Sequence, residues 1–400
     1  MGNGMKILHI CTIDKGGAYN GAKRLNEMLI EHGYESRILV RTKTGDSAYT
    51  FPAFKNTWEE TVSKIKNAVN LCFKKDEVKR DVLGSDLTQN AMVREADVIF
   101  IHWISTFLSP KQIYELSQLE DKKVIFWMHD MWLFTGGCHV DRRCGRYADE
   151  CLSCPIAGKS ANVSFKRKKN YIQKASLTVA GPSIWIVDEA KKSSILKEKD
   201  IRYIPNVYDH KVFYPQKDIN SIRNRLGIRT DKKVIMFGAA DKGAENSNKG
   251  FSFLLSALEK LDMSDKQLVV LGNAENVKND LKSYDVIYPG FISNEELLSD
   301  YYRASDVFVN PSLQESFGYT VCESMACGTP AVAFAVGGML DQIESGTNGY
   351  LAGYENSEDL VKGIEFCLDN KETLSVQAAD SAKRFSYENG FDKVKRLLEE

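Results

Sequence analysis

Several absences narrow this chain before any motif is considered. No apolar run approaches the ~18 residues of a membrane-spanning helix. Charge of one sign is also missing: 53 Lys and Arg stand against 54 Asp and Glu, which argues against bulk nucleic-acid binding. The opening residues MGNGMKILHIC run straight into an apolar segment without the charged, apolar and cleavage regions of a secretion signal. Lys6 breaks the N-myristoylation pattern. The expectation is a cytoplasmic protein whose nine cysteines are reduced thiols and not a disulfide framework. The dinucleotide fingerprint G-x-G-x-x-G is absent too, because the first glycine-rich loop has its glycines at 16, 17 and 21.

What is present is a repeating strand–loop–helix pattern. Short apolar runs at 5–11, 36–41, 97–102, 123–128, 177–180 and 201–204 precede loops and amphipathic segments. The pattern resumes at 233–237, 267–271, 286–292, 306–309, 331–335 and 349–352. Continuous apolar runs alternating with helices are the mark of parallel α/β sheets, and such sheets bind ligands at the carboxyl ends of their strands. With 400 residues there is room for two or three domains.

The most informative stretch is Asn310 to Gly338, NPSLQESFGYTVCESMACGTPAVAFAVGG. A turn at Asn310-Pro-Ser leads to Gly318, which opens a helix that Gly328-Thr-Pro330 ends. Glu315 and Glu323 flank the helix start, eight residues apart. Were both helical, a rise of about 1.5 Å per residue would part them by about 12 Å, too far for the roughly 5–5.5 Å carboxylate pair of a retaining hydrolase. The N–H groups of Phe317, Gly318, Tyr319 and Thr320 between them favour a phosphate at a helix N-terminus. A diphosphate with a polyhydroxylated ring at each end, a sugar nucleotide, suits this arrangement.

The run E-S-F-G-Y-T-V-C-E, followed by S-M-A-C-G-T-P-A-V and G-G, resembles the E-x7-E signature of family 4 of the retaining GT-B glycosyltransferases. The resemblance implies two doubly wound Rossmann-like α/β domains facing across a cleft. It places an acceptor-side domain at 1–206, a donor domain at 207–385, and a terminal helix at 386–400 crossing back. It also implies that Glu315 holds the donor sugar and Glu323 the ribose. Gly16 and Gly17 would face the donor diphosphate, His129 in its H-D context would meet the sugar, and Phe291-Ile292 would lie by the base. Lys249 of Lys249-Gly250 would meet the diphosphate as a fixed cation, worth more as negative charge develops on the leaving nucleotide. The family doubles that cation with an Arg a few residues upstream, yet no Arg occurs between 230 and 302. Lys242 or Asn248 would substitute, a Lys without the bidentate fork. Ile204-Pro-Asn206 resembles the family's interdomain element, with Val207 where Gly is usual.

The implied activity is retaining transfer of a sugar from a UDP-, GDP- or ADP-linked donor to a glycan or lipid-linked acceptor in polysaccharide biosynthesis, without a catalytic metal. No D-x-D pair stands where a metal would bridge the diphosphate. The alternatives are a nucleotide-sugar epimerase, a phosphorylase, or a non-catalytic sugar-nucleotide-binding scaffold.

Four cysteines, Cys138, Cys144, Cys151 and Cys154, are spaced C-x5-C-x6-C-x2-C in a loop of little apolar content. A tetrahedral zinc held by all four thiolates would staple such a loop; free thiols lining an acceptor loop or a disulfide are the other readings. The loop is similar to a TGGC…C…C..CP loop in a subgroup of bacterial polysaccharide glycosyltransferases. Residues 57–80 read as an amphipathic helix with Trp58, Val62, Ile65, Val69 and Phe73 on its apolar stripe. This helix and the basic run at 165–169 are candidates for peripheral contact with an inner membrane face, against the plainer reading of solvated faces. His102 is read as packing or as a wall of the acceptor side.

Overall fold

A computed structural model of the chain describes residues 4–72, 78–238, 247–275 and 277–400. The chain divides into two compact units, Met1–Val207 with Phe391–Glu400, and Tyr208–Gly390.

The first unit holds seven strands: β1 (Lys6–Ile13), β2 (Glu35–Thr42), β3 (Thr50–Pro52), β4 (Val98–Ile101), β5 (Lys123–Trp127), β6 (Thr178–Gly181) and β7 (Ile201–Tyr203). They form one parallel sheet in the order β3-β2-β1-β4-β5-β6-β7. Leu8, Ile10, Ile99, Ile101, Val124 and Phe126 belong to the larger core, while Cys11, Ile38 and Val40 join Tyr19 and Ala22 of the helix Gly17–Glu31 in a smaller one. Alternate residues of β1 thus feed two cores, as a sheet covered on both faces requires. The tail is fastened to this unit by Phe391 stacked on His32 at 3.5 Å and by Glu400 paired with Arg202 at 2.6 Å.

The second unit holds six strands: β8 (Lys233–Gly238), β9 (Lys266–Leu271), β10 (Val286–Gly290), β11 (Val307–Asn310), β12 (Ala331–Phe334) and β13 (Gly349–Ala352). All pair in parallel, in the order β10-β9-β8-β11-β12-β13. Val234, Met236 and Phe308 face one core, and Ile235, Phe237, Val307 and Val309 the other.

Both sheets reverse their winding once, between β1 and β4 and between β8 and β11. At such a switch point the loops diverge and leave a crevice at the carboxyl ends of the strands. Gly16-Gly17 follows β1, Lys249 follows β8, and the Asn310–Gly318 loop follows β11.

One expected face turns only partly inward, with Val62 and Val69 half-buried. The helix runs Thr57–Cys72, and Phe73 lies outside the described residues. Its Trp58 is 75% and its Ile65 58% exposed, while Ser63 and Asn70 are buried. The cause is the neighbouring chain at Leu83–Ser85, whose backbone and Ser85 hydroxyl need polar partners. Asn70 bonds both the Leu83 carbonyl (2.7 Å) and its N–H (2.9 Å), Lys66 reaches the Gly84 carbonyl at 3.0 Å, and Ser63 accepts from Ser85 at 3.1 Å. Leaving those groups unpaired under an apolar stripe would cost more than exposing the stripe.

Candidate functional site

In the second unit two loops from adjacent strands are sewn together. The Leu313 N–H donates to the Asn248 carbonyl at 2.8 Å, and the Asn248 side-chain amide donates to the Gln314 carbonyl at 2.9 Å. Lys249 Nζ then lies 3.1 Å from Glu315 Oε2. Gly250 fixes the approach: its φ is +62°, and a Cβ there would fall 1.9 Å from the Pro311 carbonyl oxygen. Only glycine combines that left-handed backbone with so close a neighbour. Asn248 therefore holds the loop, and its amide is engaged in that task. Lys242, the other substitute for the missing Arg, lies outside the described residues.

Glu315 is held from its other side by the Gly338 N–H, which donates to its carbonyl at 2.9 Å. At Gly337 φ is +53°, and a Cβ would come within 1.9 Å of the same oxygen. The carboxylate and ammonium are thus placed by backbone on three strands' loops. The pairing holds the Lys249 ammonium charged above its ordinary range: Glu315's charge raises it, outweighing burial, and the hydrogen bond adds to the effect. Glu315 is in the loop, not the helix, so the helical 12 Å separation from Glu323 does not apply.

The helix itself is Tyr319–Ala326, capped by Gly318 at φ +90°. Its first turn closes when the Val321 and Cys322 N–H groups reach the Gly318 carbonyl at 3.1 and 3.2 Å. Phe317 is buried, its ring set edge-on to Tyr319 and Phe385. Any role at a ligand falls to its backbone. Gln342 locks that backbone by donating to the Phe317 carbonyl at 2.5 Å. Thr320 is exposed at the helix mouth. Glu323 is buried, and the Tyr302 hydroxyl donates to its Oε2 at 3.0 Å. Phe291 is 82% exposed just beyond β10, with Ile292 partly packed on the core.

In the first unit, Gly16 has φ +88° and caps the helix Gly17–Glu31. A Cβ on Gly16 or Gly17 would meet no atom within 4 Å. Packing within the fold does not explain Gly17, so the loop presents open backbone. Asp14 supports it by accepting from the N–H of Thr44 and of Gly45, each at 2.7 Å.

His129 follows β5 and is joined to His102, its Nε2 2.8 Å from His102 Nδ1. His102 is joined in turn to His9 at 2.9 Å. Burial pushes His129 down to about 4, against the opposing charge of Asp130. Burial alone would raise Asp130, but His139 at 2.6 Å and the Trp132 N–H at 2.8 Å keep that carboxyl below its usual range.

The four-cysteine loop is organised by hydrogen bonds. Cys151 Sγ accepts from the Gly136 N–H at 3.2 Å and Cys154 Sγ from the Ala157 N–H at 3.3 Å. Buried Lys168 ties the preceding turn through the carbonyls of Trp132 and Thr135, with its ammonium 3.9 Å from the Trp132 ring. All four cysteines are free thiols. Burial raises Cys138 to about 12 and Cys151 to about 11, helped by the neighbouring cysteines at Cys138 and opposed by the Gly136 N–H at Cys151. Among the described residues no three or more His, Cys, Asp or Glu are grouped to hold a metal ion.

The structure sets Lys249 beside Glu315, with Gly318 capping and Glu323 within the helix that follows; sequence reasoning missed Tyr302, Gln342 and His9. No spacing rule points to these three, since each acts through a partner 21 to 93 residues away.

Residues 218–386 match the family model described as glycosyl transferases group 1. An uncharacterized glycosyltransferase of Methanocaldococcus jannaschii is 29% identical over 398 residues, covering 94% of this chain and 92% of that protein. A D-inositol 3-phosphate glycosyltransferase of Geodermatophilus obscurus is 42% identical over 194 residues, which span 44% of this chain and only 42% of that relative. Among solved structures, Anabaena HepE in complex with UDP and glucose aligns with a TM-score of 0.66 at 16% identity, over 99% of each chain. At that identity the likeness establishes the fold: two Rossmann-like domains of the GT-B type.

Proposed function

We propose that this chain, GT-B in fold and matching the group 1 glycosyl transferases over most of its second unit, transfers a sugar from a nucleotide-diphosphate sugar to a glycan or lipid-linked acceptor. The observation that carries the reading is the Lys249–Glu315 pair at 3.1 Å, at the switch point of the second sheet beside a helix N-terminus. A cation and helix N–H groups suit a diphosphate, and a carboxylate suits sugar hydroxyls. That the similar Anabaena protein was solved with UDP and glucose supports a donor of this class.

In the mechanism we favour, the bond from the anomeric carbon to the diphosphate oxygen breaks, and the acceptor oxygen bonds that carbon on the same face. The acceptor's proton passes to an oxygen of the departing phosphate. Lys249 and the helix at Gly318 stabilise the leaving charge without a metal, Glu315 orients the sugar, and Glu323, held by Tyr302, takes the ribose. His129, from the family resemblance, meets a sugar hydroxyl. Polysaccharide biosynthesis is the expected setting, and a structural zinc in the four-cysteine loop is a separate proposal that metal analysis of chelator-free protein decides.

The test is to screen UDP-, GDP- and ADP-sugars by thermal shift, since a ligand of the native state raises its stability by about 2.7 kcal/mol at a hundredfold excess over Kd. The stabilising donor is then incubated with candidate glycans and lipid-linked acceptors. Transfer is expected. An epimer or sugar phosphate formed without acceptor would point to the rival enzymes, and binding without turnover to a scaffold.

A further inference from the structure

Three of the chain's six histidines form one hydrogen-bonded row across the first sheet. Ser36 Oγ on β2 is 3.1 Å from His9 Nε2 on β1. His9 Nδ1 is 2.9 Å from His102 Nε2 just past β4, and His102 Nδ1 is 2.8 Å from His129 Nε2 just past β5. These four strands are consecutive in the sheet, so the row climbs from the middle of the fold to the carboxyl ends of the strands. His9 and His102 are buried, and His9 stacks on Phe100 with centroids 5.0 Å apart.

A neutral imidazole has one N–H and one lone pair. Because both nitrogens of His9 and of His102 are engaged, the hydrogens must all point the same way. Either every ring carries its proton on Nδ1 and Ser36 donates into the row, or every ring carries it on Nε2 and Ser36 accepts. A charged ring inside the row would donate from both nitrogens and leave the rings on its two sides in opposite tautomers. Burial reinforces neutrality, pushing His9 down to about 3 and His102 well below its usual value, with the neighbouring histidines adding to the latter. The charged group acting on His129 is Asp130, and burial outweighs it. The far end of the row is a hydroxyl, which can turn but cannot store a proton, so the row is a lock on tautomer and not a proton sink.

We propose that His9 and His102 are positioning residues that hold His129 neutral, with its Nε2 occupied and its Nδ1 left to meet a sugar hydroxyl and not a phosphate. A neutral ring with one nitrogen left suits a hydroxyl, which donates or accepts equally well, whereas phosphate is recognised by charged donors. The hydroxyl as ligand rests on the function proposed above; the lock itself does not.

The test is the imidazole nitrogen–proton correlation spectrum of the full 15N-labelled chain at pH 7, with His32→Gln and His210→Gln aiding assignment. The expected result is that His9, His102 and His129 are all neutral, each a single tautomer, and all protonated on the same-named nitrogen. A charged ring, a mixture of tautomers, or opposite tautomers within the row overturns the proposal. This spectrum needs no substrate, so its outcome is independent of whether sugar transfer is found. Millimolar inorganic phosphate should leave the His129 signals in place, and a phosphate-dependent shift there overturns the hydroxyl assignment. In His102→Phe, which keeps a ring in place, His129 should populate both tautomers, since nothing then occupies its Nε2. An unchanged His129 in that folded variant also overturns the lock, and should the variant fail to fold, the wild-type spectrum still decides.

Discussion

Replacing Lys249 by Ala separates a structural ion pair from a functional one. At 3.1 Å two unit charges attract by about 5 kcal/mol at an effective dielectric of 20, and by little more than ~1 kcal/mol in water. The two side chains are 42% and 25% exposed, and solvent-screened pairs of this kind are worth under about 1 kcal/mol when measured. For a unit of this size that is a Tm change of about 2–4 °C at most. The loops do not depend on the pair, because Asn248, Gly250 and Gly338 hold them by backbone contacts. A cation on the leaving diphosphate is another matter, since its value grows with the charge that develops there. Lys249→Ala should therefore cut sugar transfer at least about tenfold, or roughly 1.4 kcal/mol, while the fold loses little. Because Glu315 raises Lys249 above its ordinary 10.5, the ammonium's contribution to stability is complete below that value and fades only as pH rises through the raised one. The loss of transfer should thus be the same across pH 6–9. The assay is product formation with the donor that the thermal screen identifies, beside a melting curve for each variant. Transfer near the wild-type rate, or a melting loss that accounts for the whole defect, would refute the assignment.

Glu315→Ala should reduce transfer by a similar factor with the same small thermal change, read in the same assay. Tyr302→Phe removes a hydrogen bond from the buried Glu323 carboxylate and should cost about 1–3 kcal/mol in denaturant unfolding; an unchanged midpoint would show that Glu323 does not depend on it. Gly250→Ala and Gly16→Ala both force a left-handed residue, a penalty of about 1–2 kcal/mol, but only at Gly250 does the new Cβ meet backbone, at 1.9 Å. The first should therefore be the more destabilising of the two in parallel melts, and equal losses would contradict the close approach. Burial pushes the Lys168 ammonium down to about 8, so the unfolded chain binds more protons between that value and its ordinary 10.5, and Lys168 adds stability as pH rises through this window. The Tm of wild type minus that of Lys168→Met should grow from pH 7.5 to 10, and a flat difference would mean the lysine is not desolvated.

The parallel α/β class was legible because a strand covered on both faces reads as an unbroken apolar run, and Val98–Ile101 or Ala331–Phe334 can scarcely be anything else. The helix Tyr319–Ala326 was bounded correctly by Gly318 and Gly328-Thr-Pro330, since the left-handed backbone at each glycine is a local property of the chain. The three-residue β3 (Thr50–Pro52) went unseen because an edge strand that short carries no periodicity. Lys249 and Glu315 were found separately through resemblance. That they pair, and that Asn248 is engaged in holding the loop between them, depends on contacts 66 residues apart that no local pattern encodes.

The helix Thr57–Cys72 and the histidine row fail and succeed for the same reason. Periodicity reports which side of a helix is apolar, but it does not report what waits on the other side. At Leu83–Ser85 the waiting groups are backbone donors and acceptors and the Ser85 hydroxyl, so Ser63, Lys66 and Asn70 turn inward and Trp58 turns out. His9 reads as an interruption in the apolar run of β1, and is tolerated there because Ser36 and His102 on neighbouring strands satisfy both its nitrogens. A polar residue inside an otherwise buried segment is therefore a statement about its neighbours across the sheet: either a partner is waiting in register, or the segment faces the other way. In the first unit both answers occur, and the histidine row is the case in which the partner leads outward to the carboxyl ends of the strands.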